Sequence, residues 1–520
     1  MPVDKPFTLG PFKDGLNLLS DPTDVSDTQC VEALNFDLDP NGALKSRPPF
    51  ASGGFPIPLG SAGDAQLIGI YYANDGSVHP IAGDGLSKTY RYDTATQTWT
   101  VIATNFSAVA MTQFDGKAWL VAGPGDANPG GYWSPSGGFV EQPEMPQGRS
   151  ITVYKDRLWI ASGIESPSPT SMFYSKLLVE GPLWATSASR EVQVSPGDGQ
   201  AIVALQPYFG MLLVFRNQSI YSYSYATSTA AAVISVVVPG IGLTSPDCIV
   251  SYEAYLYFMY DGKAYEFVNS RAQRINQHVP FVAEDQSGVA YPYAVSTFNR
   301  RILFSFFDYI YVFNVDLRAW TRWKSDVWGP IGKVLEPIPG TSNIDAIALP
   351  SKTQPAGTLR TCPGLKINEL LTTDASEPFT CVLQTKNYAF DLPSSYKRMW
   401  WWGADTIFRG AVHGEAIPVV QTQSTDWGYL WSGGLTWADL LTSTWDAPVG
   451  ADPISEVTEY DSAGLGFMRK FVKFRKAMRF RQVYFRVTFT ADGTITTSPV
   501  YLFTLRARIA VRQTVSKAIT

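Results

Sequence analysis

The chain has 520 residues and a formal net charge of −5, enough for two or three domains with cores of their own, which excludes a small stapled protein. Charged residues make up only 17% and aromatic residues reach 13%. That balance argues against a chain that grips nucleic acid over its whole surface and suits one whose surface meets other protein chains.

The N-terminus, "MPVDKPFTLGPFKDG", has no basic start and no apolar core, so no signal peptide is expected and the reading is of a protein made in the cytoplasm. Residues 1–58 read as an arm. Ser26 and Gln29 stand at capping-box spacing and predict a short helix. In "NFDLDPNGALKSRPPF" the alternation of Asp37, Asp39 and Asn41 before Gly42 imitates a calcium loop, but the twelfth position, which must supply a bidentate carboxylate, is Pro48. An acidic turn between extended segments explains the stretch without an ion.

From residue 59 to 350 one unit recurs: an aromatic residue, turn formers, then an alternating apolar strand. Its anchors are Tyr72, Phe114, Tyr154, Tyr208, Tyr252 and Phe298, spaced 42, 40, 54, 44 and 46 residues apart. That period matches one four-stranded propeller blade. A second aromatic strand follows each anchor: "TYRYD", "GYWSP", "MFYSK", "IYSYS", "AYEFV" and "IYVFN". Two copies agree in detail, with Tyr90, Tyr92, Asp93 and Trp99 spaced as Tyr311, Phe313, Asn314 and Trp320 are, so that a turn brings each Trp back across the sheet. The expected fold is all-β, a six- or seven-bladed propeller whose aromatics are wedges between blades rather than ligand platforms. The longest apolar run, "AAAVISVVV" at 230–238, stops at Pro239, far short of the ~20 residues of a membrane span, so no stable membrane insertion is expected.

Residues 351–364 read as a linker. Residues 365–520 carry longer alternating runs that suit a β-sandwich or jelly-roll-like assembly domain. Trp427, Trp431, Trp437 and Trp445 fall in a Gly- and Thr-rich stretch that reads as a decorated loop. A basic run follows, with Arg469, Lys470, Lys473, Arg475, Lys476, Arg479, Arg481 and Arg486 among aromatics. It suits a cationic strand face, solvated or paired with a neighbouring subunit, and alternatively a basic lining for passing DNA.

No catalytic motif is present: there is no HExxH, GxSxG or P-loop, and His79, His278 and His413 stand alone. Asp115, Asp156 and Glu253 recur just after blade anchors and would be the acids of a propeller glycoside hydrolase, but other turn formers take the same place elsewhere. Cys30, Cys248, Cys362 and Cys381 lack metal-site spacing and read as free thiols, with a Cys362–Cys381 bridge as the alternative. The chain is therefore read as having no catalytic, cofactor or metal residues.

The arm carries a resemblance. Gly15 and Asn17, then Pro22, Gln29 and Asn35, closing with Gly42, Leu44, Arg47 and Pro48, resemble the opening of tail proteins of double-stranded DNA bacteriophages, particularly the nozzle or tail-hub proteins of short-tailed phages. The resemblance implies a non-enzymatic virion component made in the bacterial host cytoplasm. Such a protein forms a homo-oligomeric ring, expected to be a hexamer, around the DNA exit channel and links portal or adaptor proteins to distal tail parts. Genomic DNA would pass through the ring. The alternatives are a propeller-bearing minor tail protein at a long tail tip that binds host-surface glycan, and the glycoside hydrolase.

Overall fold

A computed structural model describes residues 4–48, 50–52 and 57–58 of the arm and most of 66–335, and further along mainly strand segments between 346 and 511. The described residues contain no α-helix, and no helix is long and apolar enough to cross a membrane. Most of them lie in antiparallel sheets.

Seven four-stranded units form a closed propeller. Their innermost strands are Gln66–Tyr72, Ala108–Phe114, Ser150–Tyr154, Ile202–Tyr208, Ile249–Tyr252, Ala294–Phe298 and Ile331–Leu335. Neighbouring inner strands pack on one another from blade 1 to blade 4 and from blade 5 to blade 7, and the seventh returns to the first. Blades 4 and 5 meet through Phe215 and Phe258, whose ring centroids are 5.5 Å apart. The expected aromatic anchors are the last residues of the first six inner strands, and the second aromatic elements are the third strands of the same blades. Trp99 lies opposite Tyr92 in register, as Trp320 lies opposite Phe313, with centroids 5.5 and 4.9 Å apart.

Just beyond the anchors the backbone turns through the left-handed region, at Asp115 and Gly116, Lys155 and Asp156, and Asn299 and Arg300. Two consecutive residues at positive φ are what a two-residue hairpin with the right twist demands. The tyrosines then tie blade to blade. Tyr71 donates to the carbonyl of Gly116 at 2.5 Å, Tyr154 to that of Gly210 at 2.8 Å and Tyr208 to that of Ala254 at 3.2 Å, each acceptor lying in the next blade's first hairpin turn. Wedges such as Trp159, fully buried and 4.9 Å from Tyr223 of the next blade, fill the space between sheets.

Blades 1 to 6 each take their four strands from consecutive chain, but blade 7 does not. Blade 7 consists of Ile331–Leu335, Ala346–Pro350, Leu365–Ile367 and, as its outermost strand, Phe50–Ser52 from the arm. The boundaries expected at residues 58 and 364 therefore cut through a sheet. The expected linker also contains a strand, Thr361–Cys362, paired with Ile57–Pro58. Closure of the last blade by a strand from far away in sequence fixes the ring where its two ends meet, because that blade cannot be completed by local chain alone.

The outer edge of blade 6 continues outward through the arm strand Glu32–Leu34 to Thr380–Gln384, Gln482–Thr490 and Ala411–Val419. A separate six-stranded sheet orders Met468–Phe480, Lys397–Ile407, Tyr501–Val511, Leu44–Ser46 and Phe36–Leu38, with Asp4–Leu9 also on Tyr501–Val511. The described strands of 380–511 thus fall into two sheets, and neither is made of that region alone.

The helix expected from Ser26 does not form. Gln29 Oε1 does reach back to the Ser26 amide at 3.4 Å, as a capping box would. Its backbone instead enters the strand Gln29–Cys30, parallel to Gly15–Leu16, and Glu32–Leu34 follows between Ala319–Trp323 and Thr380–Gln384 in one sheet. Tertiary pairing on both sides overrides a local signal worth about 1 kcal/mol.

Candidate functional site: the arm joint

The residues that carry the arm's motif converge on the junction of propeller and C-terminal sheets. Gly15 has φ +64°, and a Cβ there would stand 2.4 Å from the Trp320 carbonyl oxygen, so only glycine lets the arm run against blade 6. Asn17 is buried. Its Oδ1 accepts from the amides of Leu19 and Ser20 at 3.2 and 3.1 Å, and its Nδ2 donates to Gln29 Oε1 at 3.0 Å. The Pro22 carbonyl accepts from the Asn387 amide at 2.8 Å.

Asn35 is the knot of this joint. At φ +57° its side chain donates to the Thr380 carbonyl at 2.8 Å, while Oδ1 accepts from the Lys324 amide at 2.7 Å and from Arg47 Nε at 2.9 Å. Its own carbonyl accepts from the Cys381 thiol at 3.1 Å. Arg47, only 1% exposed, also donates to the carbonyls of Pro48 and Lys324, both at 3.0 Å, and its guanidinium lies 4.5 Å from the Phe50 ring and 4.1 Å from that of Phe379. A planar cation with donors in a fixed fork and two apolar faces can do this where lysine cannot. One side chain thereby touches blade 6's exit, blade 7's outer strand and the C-terminal region.

The suspected calcium loop is a hairpin turn in the same joint. Gly42, at φ +80°, closes it with its amide on the Asp39 carbonyl at 2.7 Å, and a Cβ there would meet Lys13 Cβ at 2.7 Å. Asp39 Oδ2 accepts from the side chain of Asn41 at 2.8 Å, and Asp37 turns inward to a buried ion pair with Arg301, whose Nε donates at 2.8 Å. Burial pushes the Asp37 carboxyl up and Arg301 pulls it back, so the pair depends on the guanidinium staying in place. No group of metal-ligating side chains occurs among the described residues.

Other candidate residues are dispersed. Asp115, Asp156 and Glu253 are exposed residues at positive φ in three separate hairpin turns. His79 is 8% exposed and wedged between Tyr71 and Trp133, and burial together with nearby Arg91 keeps its pKa low. His278 is exposed, and its carbonyl takes the amides of Leu18 and Leu19. Cys381 is a buried thiol in no disulfide, which overturns the alternative Cys362–Cys381 bridge. The four tryptophans at 427–445 lie outside the described residues.

The basic run does not form one strand face, because the chain changes sheets within it. Arg469 to Arg479 fall on Met468–Phe480, the edge strand of the six-stranded sheet, and Arg486 falls on Gln482–Thr490, in register with Glu415 and Gln384. Between the propeller's inner strands, Lys333 of blade 7 donates to the Ile68 carbonyl of blade 1 at 3.4 Å and pairs with Asp247, beside the first strand of blade 5, at 3.1 Å. Sequence alone does not signal either arrangement, since each depends on contacts between distant segments.

No family model matches the chain, and no curated protein does. Among solved structures, the Neurospora crassa Pan2 WD40 domain is similar at 10% identity and a TM-score of 0.40, over 62% of this chain and 96% of that one. The extracellular domain of a B. thetaiotaomicron protein described as a one-component system is similar at 13% identity and a TM-score of 0.43, over 68% of this chain and 49% of that one. The AfRom2 CNH domain is similar at 8% identity and a TM-score of 0.39. The propeller rests on the sheet pairings above.

Proposed function

We propose that this chain is a structural virion protein of a bacteriophage tail, of the nozzle or tail-hub kind, and that it has no chemistry of its own. Copies form a ring around the DNA exit path and connect the portal and adaptor region to distal tail parts. The observation that carries the reading is the arm joint: the residues on which the resemblance rests are the ones that bind the propeller to the C-terminal sheets. Gly15, Asn35 and Arg47 form a joint suited to a part that must hold its shape while genome and neighbouring subunits press on it. Low charge and abundant aromatics fit subunits that bury large interfaces.

On this reading DNA runs through the ring of copies and not through the propeller of one copy. Immunogold labelling of purified particles tests the proposal, with label expected at the tail. A protein recovered free in host lysate and missing from washed particles contradicts it.

A further inference from the structure

The first hairpin turn of blade 4 consists of Phe209 and Gly210, between the paired residues Tyr208 and Met211. Phe209 stands at φ +40° and is 73% exposed, more than any other large apolar side chain among the described residues. A two-residue turn with both φ values positive favours Asn-Gly or Asp-Gly, and blade 2 has Asp115 and Gly116 at the same place. An aromatic residue there is costly twice, in backbone strain and in apolar surface left to water. Its ring meets Tyr208 edge-on with centroids 4.6 Å apart, which leaves most of it uncovered. Strain kept at so exposed a position points to a use outside the fold.

Two carboxylates flank it. The Gly210 carbonyl accepts from Tyr154, two residues before Asp156, and Tyr208 donates to the carbonyl of Ala254, next to Glu253. The turns of blades 3, 4 and 5 are thereby fixed side by side, with Asp156, Phe209 and Glu253 all exposed. Neither carboxylate is in a salt bridge among the described residues, whereas the cations nearby are engaged. Lys155 donates to the Tyr225 carbonyl, Arg157 to that of Ser175 at 2.8 Å, and Arg300, though within electrostatic reach of Glu253, pairs with Asp316 at 2.7 Å.

We propose that this turn face docks an arginine-bearing segment of another protein, one guanidinium lying on the Phe209 ring with Asp156 and Glu253 as its counter-ions. An apolar partner would strip water from both carboxylates and offer them nothing in return. A guanidinium satisfies the three groups together, since it stacks on an aromatic face and donates to carboxylates in its own plane. The inference goes beyond the ring reading, which assigns no residue on this face.

A fluorescein-labelled peptide of alternating arginine and glycine, titrated with the full-length chain, tests it beside a peptide with glutamate in place of arginine. The arginine peptide is expected to bind and the glutamate peptide not. Phe209→Asn should weaken binding about five-fold, and Asp156→Asn and Glu253→Gln about two-fold each. Asp261→Asn, at the opposite end of blade 5, should leave it unchanged. Phe209→Asn also restores the favoured turn sequence, so its urea midpoint should rise. No binding of the arginine peptide, or a loss with Asp261→Asn as large as with Asp156→Asn, overturns the proposal. A fall in the midpoint of Phe209→Asn does so too, because the ring would then serve its own turn. Self-association of the unaltered chain that disappears in Phe209→Asn makes the occupant a second copy and also overturns it.

Discussion

Blades 1 to 5 and blades 6 and 7 finish their sheets by different routes. The first five are local: each inner strand, hairpin and outer strand follows in order, and the stabilising contacts are wedges and tyrosine bonds to the next blade. In the last two the arm takes part: Glu32–Leu34 extends blade 6 toward the C-terminal strands and Phe50–Ser52 completes blade 7, held by polar groups buried at a joint. Loss of one wedge or one tyrosine bond in the local region leaves the remaining contacts of that blade in place. Loss of one group at the joint disconnects several elements at once.

The largest expected effect follows from that difference. Arg47→Ala removes a fully buried guanidinium, leaves the carbonyls of Pro48 and Lys324 without their donor and opens a void between Phe50 and Phe379, and it is expected to cost about 3–5 kcal/mol in denaturant unfolding. Gly15→Ala should cost about 2–4 kcal/mol, since a methyl group meets the Trp320 backbone at an unfavourable φ. Equal costs for a comparable deletion at the joint and in blade 2 would break the comparison.

Within the local region, Asp198 offers a sharper probe. Its hydrogen bonds from the buried Arg216 hold its carboxyl down at about 2. A carboxylate with a folded pKa below its ordinary value of 3.8 adds stability that is complete above about pH 4 and is lost as the pH falls toward 2. Asp198→Asn is expected to flatten the acid side of the stability profile in that window. At neutral pH it should cost about 1–2 kcal/mol, less than a fully buried pair would because the aspartate is a third exposed. Tyr154→Phe, which deletes only the bond to the Gly210 carbonyl, should cost about 0.5–1.5 kcal/mol. Asp156→Asn is the smallest change: an exposed turn residue whose replacement also tolerates positive φ should stay within about 0.5 kcal/mol.

What could be read from the sequence divides along the same line. The anchors Tyr72 to Phe298 mark the ends of inner strands because the two signals involved, an aromatic wedge and the turn formers after it, are adjacent in the chain. The match of Tyr92 and Trp99 with Phe313 and Trp320 gave the strand register for the same reason. Nothing local in "FAS" at Phe50–Ser52 shows that its partner is Leu365–Ile367, and so the blade number stayed open at six or seven and the true extent of the propeller stayed hidden. Ser26 and Gln29 carried a helix signal that strand pairing overrode. The motif spanning Gly15 to Arg47 was visible, but its role at the joint depends on contacts with Trp320, Lys324 and Thr380, some three hundred residues away.

Amide hydrogen exchange on the full chain tests most directly the claim that the arm is built into the body. Peptides covering Glu32–Leu34 and Leu44–Ser46 should exchange as slowly as the inner strands Ile202–Tyr208 and Ala294–Phe298, and Arg47→Ala should speed exchange there before it does so in blades 1 to 5. Arm peptides that exchange within seconds while every blade stays protected would contradict it.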